Sequence, residues 1–119
     1  IIYPDSSGKN RTRMGGASES DIAILKAAPY NYTCKFKPTN PPVKDRINAT
    51  NAAFENGQLF VNDELCPDVA ACYEQQVYAE NGEPDKSAGN DHQNDASTYP
   101  IAYELPIRKP ATSIKMGFV

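Results

Sequence analysis

The chain has no tryptophan, a single histidine and no basic excess, and each shortage narrows its possible roles. Twelve Lys and Arg stand against fifteen Asp and Glu, for a net charge of -3. That balance argues against a general nucleic-acid coat protein, which carries a basic face. It leaves open an enzyme that holds divalent ions with carboxylates, because bound ions supply local positive charge. No apolar run approaches the roughly 20 residues a membrane span needs, so a soluble chain without membrane contact is expected. The opening Ile1-Ile2-Tyr3-Pro4-Asp5 has no initiator Met, basic n-region or cleavable apolar stretch, and it reads as part of a longer protein. Cys34, Cys66 and Cys72 are odd in number, at spacings that suit neither a zinc site nor a disulfide framework. Buried, reduced thiols are expected. Asn-x-Thr triplets at Asn10, Asn31 and Asn48 read as chance matches in a chain with no secretory route.

What remains is 119 residues, enough for one small domain with a modest core. Ile1-Ile2-Tyr3 is β-branched and aromatic and runs into Pro4-Asp5-Ser6-Ser7-Gly8, so it predicts a buried strand ending in a polar loop, with Asp5 at its carboxyl end. The stretch from Lys9 to Ser18 is basic and Gly-rich and predicts a surface loop. Ser20 as N-cap, with Asp21, Ile22, Leu25 and Ala28 before Pro29, predicts a helix of roughly ten residues. Asn31 to Lys37 alternates and predicts a second strand, giving a strand-helix-strand unit with parallel strands.

Asn40 can cap a second helix carrying Val43, Ile47 and Phe54 near one face, until Asn56-Gly57 stops it. Gln58 to Asn62 predicts another short strand. Val69, Cys72, Tyr73, Gln76 and Val77 mark an amphipathic helix ending near Gly82. A last helix from Asn90 or Asp91 places His92, Asp95, Ala96 and Tyr99 on one stripe, and Pro100 kinks or ends it. The fold class expected is α/β, with residues 1–105 as the domain and 106–119 as an extended tail.

Two acidic positions could carry chemistry. Asp5 lies where reactive groups collect in open α/β sheets, outside the carboxyl ends of parallel strands. His92 and Asp95, three residues apart, share a helix face and could reach one ion or one water. Blander roles compete: an Asp after a strand is commonly a turn or cap residue, Asp91 suits an N-cap, and a lone His is commonly structural.

Ile2-Tyr-Pro-Asp-Ser-Ser-Gly8, Ser20-Asp-Ile-x-x-Leu25, Pro42-Val-Lys-Asp-Arg-Ile-Asn-Ala49, Asn56-Gly-Gln-Leu59, Gly82-Glu-Pro-Asp-Lys86 and Asp91-His-Gln-Asn-Asp-Ala96 follow one another in order. Together they resemble the nuclease half of phage large terminases over about residues 1–103. The resemblance implies a ribonuclease H-like fold, a short mixed or parallel sheet flanked by helices. In that family, carboxylates from two adjacent strands and a C-terminal helix hold two divalent ions.

Asp5 matches the second-strand carboxylate, and His92 and Asp95 match the last-helix pair, with Asp91 beside them as a further metal-ligand candidate. Oxygen donors suit Mg²⁺ or Mn²⁺, and a pair of ions about 4 Å apart serves phosphodiester hydrolysis. Lys9, Arg11, Arg13, Lys44, Arg46 and Lys86 are the basic candidates for DNA contact.

The family's first catalytic Asp belongs on an opening strand expected ahead of Ile1, so the two-metal site is expected to be incomplete and the fragment inactive. No Gly-x-x-x-x-Gly-Lys-Ser/Thr loop is present, and ATP hydrolysis is not expected of this chain. The implied partners are double-stranded DNA and, in the parent protein, an ATPase motor, a small terminase subunit and a portal. The implied setting is the cytoplasm of an infected or lysogenic bacterium. A strand at 1–5 without its neighbour exposes an apolar edge, so self-association is expected. The alternatives are a non-catalytic α/β interaction module of a packaging protein and another ribonuclease H-like nuclease, a resolvase or recombinase.

Overall fold

The computed structural model describes residues 1–10 and 20–107. The predicted loop through Arg11 and Arg13 and nearly all of the predicted tail lie outside the described residues. A 3-10 turn spans Ser6–Lys9, followed by α1 (Asp21–Lys26), α2 (Val43–Glu55), α3 (Pro67–Gln75) and α4 (Asp91–Glu104).

No strand forms among the described residues, so the expected sheet is corrected. Where strands were expected at Ile1-Ile2-Tyr3 and at Asn31 to Lys37, one parallel bridge joins Ile2 to Cys34. The Ile2 N–H donates to the Thr33 carbonyl and the Lys35 N–H to the Ile2 carbonyl, both at 2.8 Å. The strand-helix-strand order is therefore present as a path of the chain, without a ladder. A lone bridge cannot recruit more pairing when no further strand lies alongside. Gln58 to Asn62 likewise stays outside any ladder, and Phe60 is 84% exposed.

Helix α1 starts where its cap predicts: the Ser20 side chain accepts from the Ala23 N–H at 3.2 Å. It ends at Lys26, shorter than expected. Ile22, 5% exposed, is its buried anchor, with a methylene 3.1 Å from where a Gly8 side chain would begin. A larger residue at position 8 would collide with that anchor.

The buried stripe of α2 is Arg46, Ala49, Thr50 and Ala53, spaced i, i+3, i+4, i+7 as one helix face requires. The face expected from Val43, Ile47 and Phe54 is the wrong one. Small side chains at 49 and 53 let α4 approach closely, and Phe54 turns outward to meet Tyr73 of α3 edge-on at 5.4 Å. Asn40 does not cap α2; Pro42 holds that position with no side-chain bond. The stop at Asn56-Gly57 forms as expected, with Gly57 in the left-handed region at φ +66.

Helix α3 ends at Gln75, ahead of the expected Gly82. Residues 77–85 form a hairpin-like turn instead, bridging Tyr78 to Pro84 through Gly82 at φ +78. Helix α4 runs through Pro100 to Glu104, beyond the expected break. One lost backbone bond is outweighed by packing, because α4 receives both α2 and α3. The three thiols are free but none is buried: Cys66 is exposed, and Cys34 and Cys72 are half-buried.

The buried apolar residues among those described are Ile22, Ala49, Ala53 and Ile101. The α2–α4 contact is thus built largely from small groups. Ala53→Leu should lower the unfolding free energy by about 1–3 kcal/mol, read from urea midpoints at constant slope.

Candidate functional site

Asp5 caps the 3-10 turn, so local chain geometry already orients its carboxylate. Oδ1 accepts from the Ser7 N–H at 2.8 Å and from Asn40 Nδ2 at 2.7 Å, while Oδ2 accepts from the Tyr99 hydroxyl at 2.9 Å. Asn40 is pinned in turn, its Oδ1 accepting from the Ser6 N–H at 2.8 Å. The Asn40 amide first, then the Ser7 N–H, hold the Asp5 carboxyl far below the usual carboxylate range, with smaller help from the Ser7 and Tyr99 hydroxyls. Tyr99 moves the other way, raised chiefly by burial and then by its bond to Asp5, against the nearby Arg46 charge. Near neutral pH the pair is therefore an ionised acceptor facing a protonated donor.

Tyr99 carries the connection to the second carboxylate. One turn earlier on α4 stands Asp95, and between them sits Arg46 of α2, only 4% exposed. Its guanidinium lies over the Tyr99 ring at 4.4 Å. Its Nη1 donates to Thr98 Oγ1 at 3.0 Å, to Asp95 Oδ1 at 3.3 Å and to the Asp95 carbonyl at 3.4 Å. A buried charge needs such partners, and Tyr99 and Arg46 thus tie Asp5 to Asp95 through one continuous chain of contacts. Tyr99 and Asn40 were missed as site residues in the sequence. Tyr99 lay on the predicted α4 stripe with Asp95, which was the available signal, whereas nothing local marks Asn40 as a partner of residue 5.

The other candidates do not join this group. His92 has an 88% exposed side chain, and its ion-pair neighbour is Asp91, at 3.9 Å. Asp91 is 7% exposed at the start of α4, but the N-cap is Asn90. Arg46, a candidate for DNA contact, is buried and engaged by Thr98 and Asp95. Lys44 and Lys86 are exposed, and the Lys9 ammonium donates to the Pro38 carbonyl. Arg11 and Arg13 lie outside the described residues.

Among the described residues no group of three or more His, Cys, Asp or Glu side chains could hold a metal ion. Asp5 and Asp95 are hard oxygen donors of the kind Mg²⁺ and Mn²⁺ prefer, and the 46% exposure of Asp95 leaves it room for a further ligand. Two carboxylates already engaged by Asn40, Tyr99 and Arg46 are a partial donor set, short of a complete ion shell.

A family model described as a terminase RNaseH-like domain matches residues 2–104. No curated protein and no solved structure matches the chain.

The bonds to Asp5 stabilise the folded chain only while its carboxyl is ionised. A depressed folded pKa contributes stability that is complete well above the unfolded value of about 3.9 and is lost as pH falls through the acid range toward the folded value. Asp5→Ala should cost about 1 kcal/mol at pH 7, a cap-sized figure discounted for an exposed carboxylate. The gap between variant and parent should close progressively below about pH 4. Urea melts across pH 7 to 3 check both, and a constant gap would contradict the assignment.

Proposed function

The chain belongs to the terminase RNaseH-like domain family, and we propose that it forms part of a metal-dependent endonuclease domain that cuts concatemeric double-stranded DNA during genome packaging. The observation that carries this is the tie between Asp5 and Asp95: two carboxylates on separate elements, oriented by Tyr99 and Arg46. The nuclease unit spans 1–105, with 106–119 as its tail.

Each residue then has a task. Asp5 stays ionised and fixed because Asn40, Ser7 and Tyr99 hydrogen-bond it. Asp95 is held at Oδ1 by Arg46, which leaves Oδ2 for a ligand. A bound pair of Mg²⁺ or Mn²⁺ ions would supply a water activated for attack and charge stabilisation at the leaving 3′-oxygen. A complete shell for such ions requires at least one more carboxylate from outside the described residues. His92 faces solvent beside Asp91.

Lys9, Lys44 and Lys86 remain the described candidates for the DNA backbone, with Arg11 and Arg13 beside them in the sequence. An ATPase motor, a small terminase subunit and a portal are the partners that a packaging role brings, in the cytoplasm of an infected or lysogenic bacterium. Self-association through the N-terminal segment is also part of the proposal. Ile1 is 70% exposed, and Ile2 is held to residues 33–35 by a single bridge, which leaves that edge open to a second copy. Sedimentation equilibrium should show weight-average mass rising with concentration; a constant monomer mass would remove this part.

One observation favours a second class of function, a non-catalytic interaction module. The carboxylate of Asp5 is engaged as a cap and by Asn40 and Tyr99, and no metal-holding group of three forms among the described residues. The two separate in the parent protein, assayed for Mn²⁺-dependent cleavage of duplex DNA. Asp5→Asn and Asp95→Asn should each reduce cleavage about a hundredfold or more, and Arg46→Lys about tenfold through loss of Asp95 orientation. Undiminished cleavage in both Asp variants would leave the interaction module standing.

A further inference from the structure

We propose that the cavity beside Asp5 receives an unpaired base of a DNA strand, so that the strand is locally opened next to the cut. The proposal rests on the endonuclease function above and specifies the form of DNA that this site takes. A cavity of about 450 Å³ lies between the N-terminal segment, residues 35–41, the start of α2 and the end of α4. Its volume falls within the roughly 300–1,000 Å³ of small-ligand sites. A single extruded base fits such a space, and a double helix does not.

Its walls have the chemistry for a base. Four aromatic side chains line it: Tyr3, Phe36, Tyr99 and Tyr103. Tyr3 and Tyr103 meet edge-to-face at 5.8 Å and 63°, so at most one face of one ring is taken up by the other. The Lys37 ammonium stands 5.9 Å from the Tyr103 centroid. An exposed lysine beside an aromatic platform is the pairing that single-strand sites use, stacking for the base and an ammonium for its phosphate.

Position argues for the same occupant. Asn40 and Tyr99 both line the cavity and both hydrogen-bond the Asp5 carboxylate. A strand whose phosphate reaches Asp5 therefore passes the cavity mouth.

Charge decides how such a strand would bind. Lys35 is paired with Glu104 at 2.9 Å, and Asp45 also lines the cavity, so Lys37 is nearly offset and the wall is close to neutral. Affinity must come from stacking, with about one phosphate contact. The salt slope is then shallow, about −0.7 in log affinity against log salt for a single strand.

The test uses the 119-residue chain, a short fluorescent oligothymidylate and its duplex with oligoadenylate, with chelator present so that metal plays no part. The single strand should bind more tightly than the duplex, with the shallow slope. Tyr103→Leu should weaken single-strand binding about tenfold, the scale of one stacked base, and leave duplex binding unchanged. Lys37→Gln, on an exposed side chain, should flatten the remaining salt dependence and serves if Tyr103→Leu fails to fold. Equal binding of duplex and single strand, or no effect of either variant in a folded chain, would overturn the proposal. Failure of the endonuclease function reads differently: cleavage by the parent protein would be insensitive to Asp5→Asn while strand binding persists.

Discussion

The buried guanidinium of Arg46 is the constraint on which the rest of the structure depends. It reaches from α2 to α4, lies on the Tyr99 ring and bonds Thr98 and Asp95. Burying a charge is costly unless it is paired, so α2 and α4 have one relative register in which this residue is satisfied. The small residues Ala49 and Ala53 make that register sterically accessible, and Arg46 makes it specific. Its Nε has no hydrogen-bond partner among the described residues, so Nη1 carries the polar half of the fit.

From that clasp the site follows. Tyr99 is oriented by Arg46 beneath its ring, and its hydroxyl reaches Asp5, more than ninety residues away in sequence. The same α4 face then carries Asp95. The N-terminal segment is anchored at the far end too: Tyr3 and Lys35 both donate to Glu104, the last residue of α4. Those two donors hold the Glu104 carboxyl below its ordinary range, the Tyr3 hydroxyl first and Lys35 second. Helix α4 thus organises both halves of the chain, which explains how so thin an apolar core can still present an ordered polar face.

How much of this was legible in the sequence depended on the range of the interaction. Capping is local, and Ser20, Asn56-Gly57 and the start of α4 were readable from a few residues. The stripe of Asp95 and Tyr99 was readable too, because helical spacing is a property of one element. The buried face of α2 was not. Periodicity follows apolar residues, and this face is built from an Arg, a Thr and two Ala whose burial depends on α4. The strands failed for a related reason: Ile1-Ile2-Tyr3 and Gln58 to Asn62 have strand composition, but a strand exists only with a partner, and a single bridge at Ile2 is what the described residues provide. Family resemblance located the segments correctly, yet it did not reveal that His92 turns to solvent or that Arg46 is a buried clasp.

The central claim is that Tyr99 physically couples the N-terminal carboxylate to the carboxylate helix. A double-mutant cycle between Tyr99→Phe and Asp5→Asn, measured by urea unfolding near pH 7, tests it most directly. A bond of this kind predicts a coupling of about 0.5–1.5 kcal/mol. Strict additivity of the two substitutions would mean that residues 5 and 99 do not meet in solution, and the site would come apart into two unrelated carboxylates.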